Sequence, residues 1–498
     1  MPASFPSNER PDLPNWSSWG KSLRPFTTLV GSLIRSLSKG FQKIEGGKDL
    51  YSLLAEIVGP ENVSREDFEL WCYSRDAGSV FPRLPECIVT PKSKEQVAEI
   101  LKVANEYKKP VIPRGAGSSM CGAPVPLKGG VMLDLTGLKR IKIQDEEGLF
   151  VRAEAGVIWT EIIEVLKQRG REIGLEGPWS APSATAGGSV AVGAICMGAA
   201  KYGGLGTQIL GLEVALADGS IVRTGSAANR NNEMVMRDCN GADLTGLSIG
   251  SHGTLGIITE VSLKTYAFHE AEAYYAYSFE SLEDAARAVY GLARDEIAFD
   301  CRMFVYPVPE EIGGVAGVVY MLKGSGSQIQ ELGGKSRKIM QLAHGKSISE
   351  FGEQYYKGRF TARVKAFGEA GPGWLEVAGY IPILRYPAVA KEIIKYWKKR
   401  EEEAKNLGIK WSLGALLETH SINIPVAIFC SEVKRDAWQR INSYWHELAE
   451  LMYERGVSPY WIGHLSSHIV KRWGPYYQLY KKIKESLDPN NILNPGML

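Results

Sequence analysis

Three stretches of glycine and small residues, "PRGAGSSMCGAP" (113–124), "TAGGSVAVGAICMGAAKYGG" (185–204) and "SIGSHGTLG" (248–256), constrain this chain more than any other feature. Each lies beside a segment with strand character. A tight turn accounts for one such loop, but three on one body describe an extended groove. Bare backbone of this kind offers open N–H groups and close approach, which suits an anionic pyrophosphate, and Ser118 and Ser119 add hydroxyl donors.

The surrounding pattern says which groove this is not. "PECIVTPKSKEQVAEILKVANEYKKPVIPRGAGSS" (85–119) reads as strand, helix and strand, with Val97, Ile100, Leu101, Val103 and Ala104 on the apolar face of the helix. In a Rossmann unit the glycine loop follows the first strand and opens the crossover helix. Here it follows the second strand and leads to "GGVMLDLTGLKRIKI". Further on, "ILGLEVALA" and "SIVRTG" flank Asp218-Gly219, the pair a type I′ hairpin turn prefers.

A length of 498 residues exceeds what one core usually holds. The texture divides the chain into an arm at 1–48, a glycine-loop domain at 49–268, a cap at 269–455 and a C-terminal segment at 456–498. The formal charge of +2 gives no pull toward nucleic acid. Seven dispersed cysteines without a C-x-x-C pair read as reduced thiols of a cytoplasmic protein, with neither a zinc knuckle nor an iron–sulfur cluster. No apolar run spans a bilayer, and no secretory h-region precedes residue 20. Residues 21–43 carry a short basic amphipathic pattern, read as a helix packed on its own protein, with membrane-surface or subunit contact as the alternative.

In four segments the chain resembles the FAD-linked oxidases and dehydrogenases of the vanillyl-alcohol oxidase / p-cresol methylhydroxylase superfamily, especially the branch of the glycolate oxidase flavin subunit and D-lactate dehydrogenases. They are "PRGAGSSMCG", "TAGGSVAVGAICMGAAKYGGLGTQILGLEVALADG", "DLTGLSIGSHGTLGIITEVSL" and the terminal "LDPNNILNPG". The resemblance implies an α+β fold, a two-subdomain FAD-binding domain of the PCMH type under an α/β cap. It implies that Pro113, Arg114, Gly115, Ala116, Gly117, Ser118, Ser119, Gly122 and Ala123 wrap the FAD pyrophosphate. Pro182, Thr185, Ala186, Gly187, Gly188, Ser189, Val192, Gly193 and Ala194 would follow the ribityl chain and ring. Gly253, Gly256, Ile257 and Ile258 would close the site, with Asn494 approaching the ring. The first loop lacks the histidine that links flavin covalently in several members, so a dissociable FAD is expected.

The catalytic half departs from the branch. Its H-x-G-D-G-N-x-H and E-H-G-x-G segments, which hold a divalent metal, are not intact; the nearest counterparts are "LLETHSINIPVAIF", with Glu418 and His420, and "SPYWIGHLSSHIVKRW", with His464 and His468. No metal is expected. His464 is the leading candidate for the base that takes the hydroxyl proton, with His420 next. Arg302 and Arg385 are candidates for holding a carboxylate, because a planar guanidinium can bind both oxygens. Tyr460 stands where phenol-oxidising members carry a Tyr-Arg pair, but Trp461 replaces the arginine. The expected activity is FAD-dependent oxidation of an alcohol carbon, with a 2-hydroxy acid as leading substrate class. An aryl- or alkyl-alcohol oxidase and a non-catalytic or electron-transferring flavin subunit are the alternatives. The electron acceptor (oxygen, a quinone or a partner protein) and a homo-oligomeric state are left open.

Overall fold

The computed structural model describes residues 49–144, 148–348, 350–360 and 373–497. The amphipathic pattern at 21–43 lies outside the described residues. Helices and strands are mixed, and the strands form three sheets.

The first sheet has four strands in the order Val63–Ser64, Cys87–Val89, Val131–Asp134, Val111–Arg114. Cys87–Val89 and Val111–Arg114 flank Val131–Asp134 in parallel register. The helix expected between them runs Lys94–Glu106, opened by Ser93, whose hydroxyl accepts from Gln96 N–H. Its Val97, Ile100, Leu101 and Ala104 pack with Val89, Val111, Val131 and Leu133 in one buried cluster. The glycine loop leaves the second flanking strand.

The second sheet is antiparallel around Ile257–Ala267, which pairs with Phe150–Glu154 on one side and Ile209–Ala215 on the other. The hairpin from Ile209–Ala215 to Ile221–Arg223 forms with Val214 opposite Val222. Its turn is not type I′. That turn needs positive φ at both central residues, and here Gly219 alone has it, at 80°. Gly219 N–H bonds to Leu216 O and Leu216 N–H to Ser220 O, while Asp218 Oδ1 accepts from Ser220 N–H. A left-handed glycine after a type I bend closes the hairpin instead.

The third sheet has eight strands in the order Lys346–Ile348, Ala271–Phe279, Ala316–Gly324, Asp300–Tyr306, Lys410–Glu418, Ser421–Cys430, Gly373–Ile381, Ser458–Pro459. Its middle strands alternate with period two. Met303, Val305, Leu413, Ala415, Ile424, Val426, Leu375 and Val377 share one buried core with residues of helices Leu282–Arg294, Tyr386–Lys398 and Arg435–Glu454. The other face looks onto the glycine loops. The C-terminal helix Pro475–Leu487 returns the chain to the first sheet, where Val111 N–H bonds to Ile492 O and Asn494 N–H to Val111 O.

A short segment, 75–79, is bonded to both halves. Toward the first glycine loop, Ala77 N–H reaches Gly117 O and Ser119 O, and Asp76 accepts from Ser119 Oγ and Gly122 N–H. Toward the third sheet, Ser79 N–H bonds to Trp374 O and Ser79 Oγ accepts from Trp374 N–H at 2.7 Å. Ser79 Oγ also donates to Glu432 at 2.6 Å, which pairs with Arg75 at 2.6 Å. Ser79 is fully buried. Ser79→Ala removes the Ser79 Oγ acceptor of Trp374 N–H and the donor to Glu432, so chemical denaturation should show a loss of roughly 1–3 kcal/mol.

Candidate active site

The three glycine loops form one surface because side chains are missing where they touch. A Cβ on Gly115 would lie 2.2 Å from Thr185 Oγ1, one on Gly187 2.5 Å from Ala155 Cβ, and one on Gly253 2.3 Å from Pro113 Cγ. Thr185 opens the helix Ala186–Val192, its hydroxyl accepting from Gly188 N–H, and Gly193 ends it in the left-handed conformation. Asn494 clamps the assembly, its amide donating to Ala123 O at 2.9 Å and His252 O at 2.8 Å.

Behind the first loop lies Asp76, fully buried, with three donors on its carboxylate: Gly78 N–H, Ser119 Oγ and Gly122 N–H. Burial, opposed by these bonds and by Arg114, raises its pKa from 3.8 to about 6. The Arg114 guanidinium packs under Gly117, donates to Arg75 O and lies over the Tyr73 ring.

These loops and the free face of the third sheet enclose one cavity of about 670 Å³. Of the residues expected to hold cofactor, Pro113, Arg114, Gly115, Ala116, Gly117, Ser118, Ser119, Ala123, Thr185, Gly187, Gly188, Ser189, Val192, Ala194, Gly253, Gly256, Ile257 and Ile258 line it. Gly122, Pro182, Ala186, Gly193 and Asn494 are not among its lining residues, and Pro182 is exposed. The N–H groups of Gly115, Ala116 and Gly117 donate to no other group among the described residues. Open donors on a glycine turn above the half-buried Arg114 guanidinium fit a diphosphate.

Across the cavity the sheet supplies Arg302, Phe304, Tyr306, Ser412, Asn423, Trp374 and Glu376. Arg302 is 4% exposed. Its Nε and Nη2 meet Asp300 at 2.8 and 3.1 Å, and Tyr356 and Gly198 N–H complete the Asp300 carboxylate. Burial opposes the Arg302 charge, but Asp300 more than offsets it and holds the pKa above the ordinary arginine value. Its Nη1 is buried without a hydrogen-bond partner among the described residues, as are Tyr355 OH and Asn423 Nδ2 on the same wall. The Trp179 ring lies 5.2 Å from the guanidinium.

The other candidates divide. Tyr460 lines the cavity, its hydroxyl accepting from Ile195 N–H at 2.5 Å. His464 does not: its Cβ packs behind the first loop, where a Cβ on Gly122 would meet it at 3.0 Å. Trp461 still lines the cavity, and the chain then turns away at Gly463, which is pressed against Cys121 O. His420 is exposed at the tip of the hairpin joining Lys410–Glu418 to Ser421–Cys430, and Arg385 is exposed at the start of Tyr386–Lys398. His468 pairs with Glu450 at 3.2 Å, away from the cavity. Among the described residues no cluster of histidine, cysteine and carboxylates could hold a metal ion.

Sequence reasoning passed over Asp76, His252, Trp179, Tyr355, Glu376 and Asn423. His252 sat in plain view inside a quoted motif; Glu376 and Asn423 carry no local signal, because strand pairing brings them to one wall, and Asp76, Trp179 and Tyr355 lie outside the strands in segments without a recognisable motif.

Residues 85–225 match an FAD binding domain, and residues 426–498 match the C-terminal domain of FAD-linked oxidases. The chain is 32% identical to glycolate oxidase subunit GlcD of Bacillus subtilis over 242 residues, covering 49% of this chain and 50% of that protein. It is 26% identical over 505 residues to the mitochondrial D-lactate dehydrogenase [cytochrome] of Arabidopsis thaliana, covering 91% and 80%. Among solved structures, p-cresol methylhydroxylase with substrate bound shares the fold at a TM-score of 0.77 and 19% identity, covering 90% of this chain and 96% of that one.

Two outcomes test the cradle. Gly115→Val drives the first two loops apart, so the purified variant should lose flavin absorbance relative to protein while keeping its helical circular dichroism. Asp76 has its folded pKa raised above its unfolded value, so its contribution to stability is complete below pH 4 and fades as pH rises through about 6. Asp76→Asn should flatten the fall in stability between pH 4 and 7, on the order of 3 kcal/mol, seen in denaturation midpoints.

Proposed function

We propose that this FAD-linked oxidoreductase, related to the glycolate oxidase flavin subunit and the D-lactate dehydrogenases, oxidises the alcohol carbon of a hydroxy acid whose carboxylate is held by Arg302. The observation that carries the reading is Arg302 itself. Asp300 fixes two of its nitrogens and leaves Nη1 with no partner, on a wall shared with the glycine loops. A buried cation pre-oriented in this way favours an anionic substrate group over a neutral alcohol. Arg385, exposed outside the cavity, has no such support.

FAD, held by Gly115–Gly117, the helix Ala186–Val192 and the third loop, supplies a two-electron acceptor when bound. The protein's own part is to orient and to exclude water. Trp179, Phe304, Tyr355, Trp374, Phe429, Tyr460 and Trp461 make the chamber aromatic, which favours a substrate with a sizeable apolar body. An aryl-alcohol substrate shares that feature but has no use for the buried guanidinium. His464, off the cavity, loses its support as base.

Anaerobic mixing of the purified protein with hydroxy acids and matched neutral alcohols, followed by flavin bleaching, tests the reading. Acids should bleach the flavin faster than their neutral counterparts. Arg302→Lys keeps the charge beside Asp300 and loses the fork, so it should lower the acid-to-neutral preference roughly tenfold to a hundredfold. Equal bleaching by both classes would contradict the anion site. With no histidine in the first loop, acid precipitation should release the flavin into the supernatant.

A further inference from the structure

We propose that the oxidised carbinol stands well apart from the carboxylate, as in an elongated hydroxy acid with an apolar spacer, and that Glu376 accepts the hydroxyl proton. The proposal rests on the carboxylate reading of Arg302 given above.

Removing hydride from an alcohol requires a group that takes the hydroxyl proton, and the cavity wall offers few. The guanidinia of Arg114 and Arg302 keep their protons at any working pH. Burial raises the pKa of Cys121, Tyr355 and Tyr460, so these stay protonated. Burial lowers His252 to about 4, no stronger a base than a carboxylate, and it stands in the third glycine loop rather than on the sheet that carries Arg302. Glu376 is the one carboxylate on the wall among the described residues, and a carboxylate oxygen can accept a proton.

Its place is suited to the task. Glu376 lies opposite Ala427, two residues from Trp374, which is opposite Phe429. Trp374 and Ala427 pack on Met120 at the end of the first loop. On its other side Tyr460 bonds through N–H to Ala378 O and through its hydroxyl to Ile195 N–H, at the end of the second loop. Glu376 therefore stands on the sheet between the contacts made by the ends of these two loops.

The register separates it from Arg302. Arg302 lies opposite Leu416, Leu416 opposite Asn423, and Asn423 opposite Tyr380. Glu376 is thus three strands over and four residues along, on the order of 15–20 Å between Cα atoms at ordinary strand spacing and rise. The carboxylate and hydroxyl of lactate or glycolate are adjacent and cannot serve both ends. The surface between is mostly apolar, formed by Phe304, Gly414, Leu416, Pro425 and Ala427, with the Asn423 amide as its polar interruption.

In the step, the O–H bond breaks and its proton passes to the Glu376 carboxylate. The C–H bond would break as the C=O bond forms, and its hydride, with both electrons, would pass to the oxidised flavin that Gly115–Gly117, the helix Ala186–Val192 and the third loop would hold. Glu376 returns its proton to solvent once product has left.

The test compares lactate and glycolate with 6-hydroxyhexanoate, 8-hydroxyoctanoate and 4-(hydroxymethyl)phenylacetate in anaerobic flavin reduction. The spaced acids should react at least about tenfold faster per molar substrate, in line with one correctly filled anion site. Glu376→Gln should slow their reaction by roughly 10² to 10⁴-fold with FAD content intact, and the acidic limb of the pH profile should vanish. Independently of turnover, unreactive octanoate should raise the wild-type melting temperature more than acetate does, and Arg302→Lys should shrink that difference. Lactate or glycolate reacting as fast as the spaced acids, or a Glu376→Gln variant with wild-type rate and pH profile, overturns the proposal while the hydroxy-acid reading stands. Failure of every acid, short and long, to bleach the flavin overturns both.

Discussion

The hydrogen bonds of residues 75–79 hold the two walls of the cavity in register. On one side Asp76 and Ala77 fix the first glycine loop, and on the other Ser79 and Arg75 fix Trp374 and Glu432. Trp438 and Asn442 of the helix Arg435–Glu454 also donate to Ser79 O. The loop that cradles phosphate and the strand that carries Glu376 are therefore tied through a few bonds, of which those to the Asp76 and Glu432 carboxylates are charge-assisted and stronger than a neutral pair. A shift of this segment changes the cradle and the substrate wall together.

Loop chemistry was the legible part of the sequence. Glycine placement is a local requirement, so Gly115, Gly187 and Gly253 could be read from their motifs, and the structure shows each at a contact where a Cβ cannot fit. The strand–helix–strand unit ahead of the first loop was likewise visible in its periodicity, and Ser93 caps its helix. The Asp218-Gly219 turn shows the limit of a dipeptide rule, since the backbone chose a different turn with the same residues.

The substrate wall was far less legible, for a physical reason. Arg302, Glu376 and Asn423 come from three strands, and only the sheet order brings them to one face. Scarcity made the histidines conspicuous, yet scarcity says nothing about direction. His464 follows Tyr460 by four residues, but Gly463 pressed against Cys121 O carries it behind the loop. Tyr460, with one backbone bond to Ile195, stays on the cavity. Arg302 could be singled out from its sequence surroundings; that Asp300, two residues earlier, would orient it depended on the strand that places both.

The account turns on one cavity in which a flavin cradle faces a buried guanidinium. The absorbance difference spectrum of the bound flavin, recorded as an unreactive carboxylate such as octanoate is titrated into wild-type and Arg302→Lys protein, tests this most directly. The account predicts a saturable perturbation of the flavin bands in the wild type, weakened roughly tenfold or more in affinity by the substitution. A flavin spectrum indifferent to carboxylates, or an affinity that Arg302→Lys leaves unaltered, would contradict it.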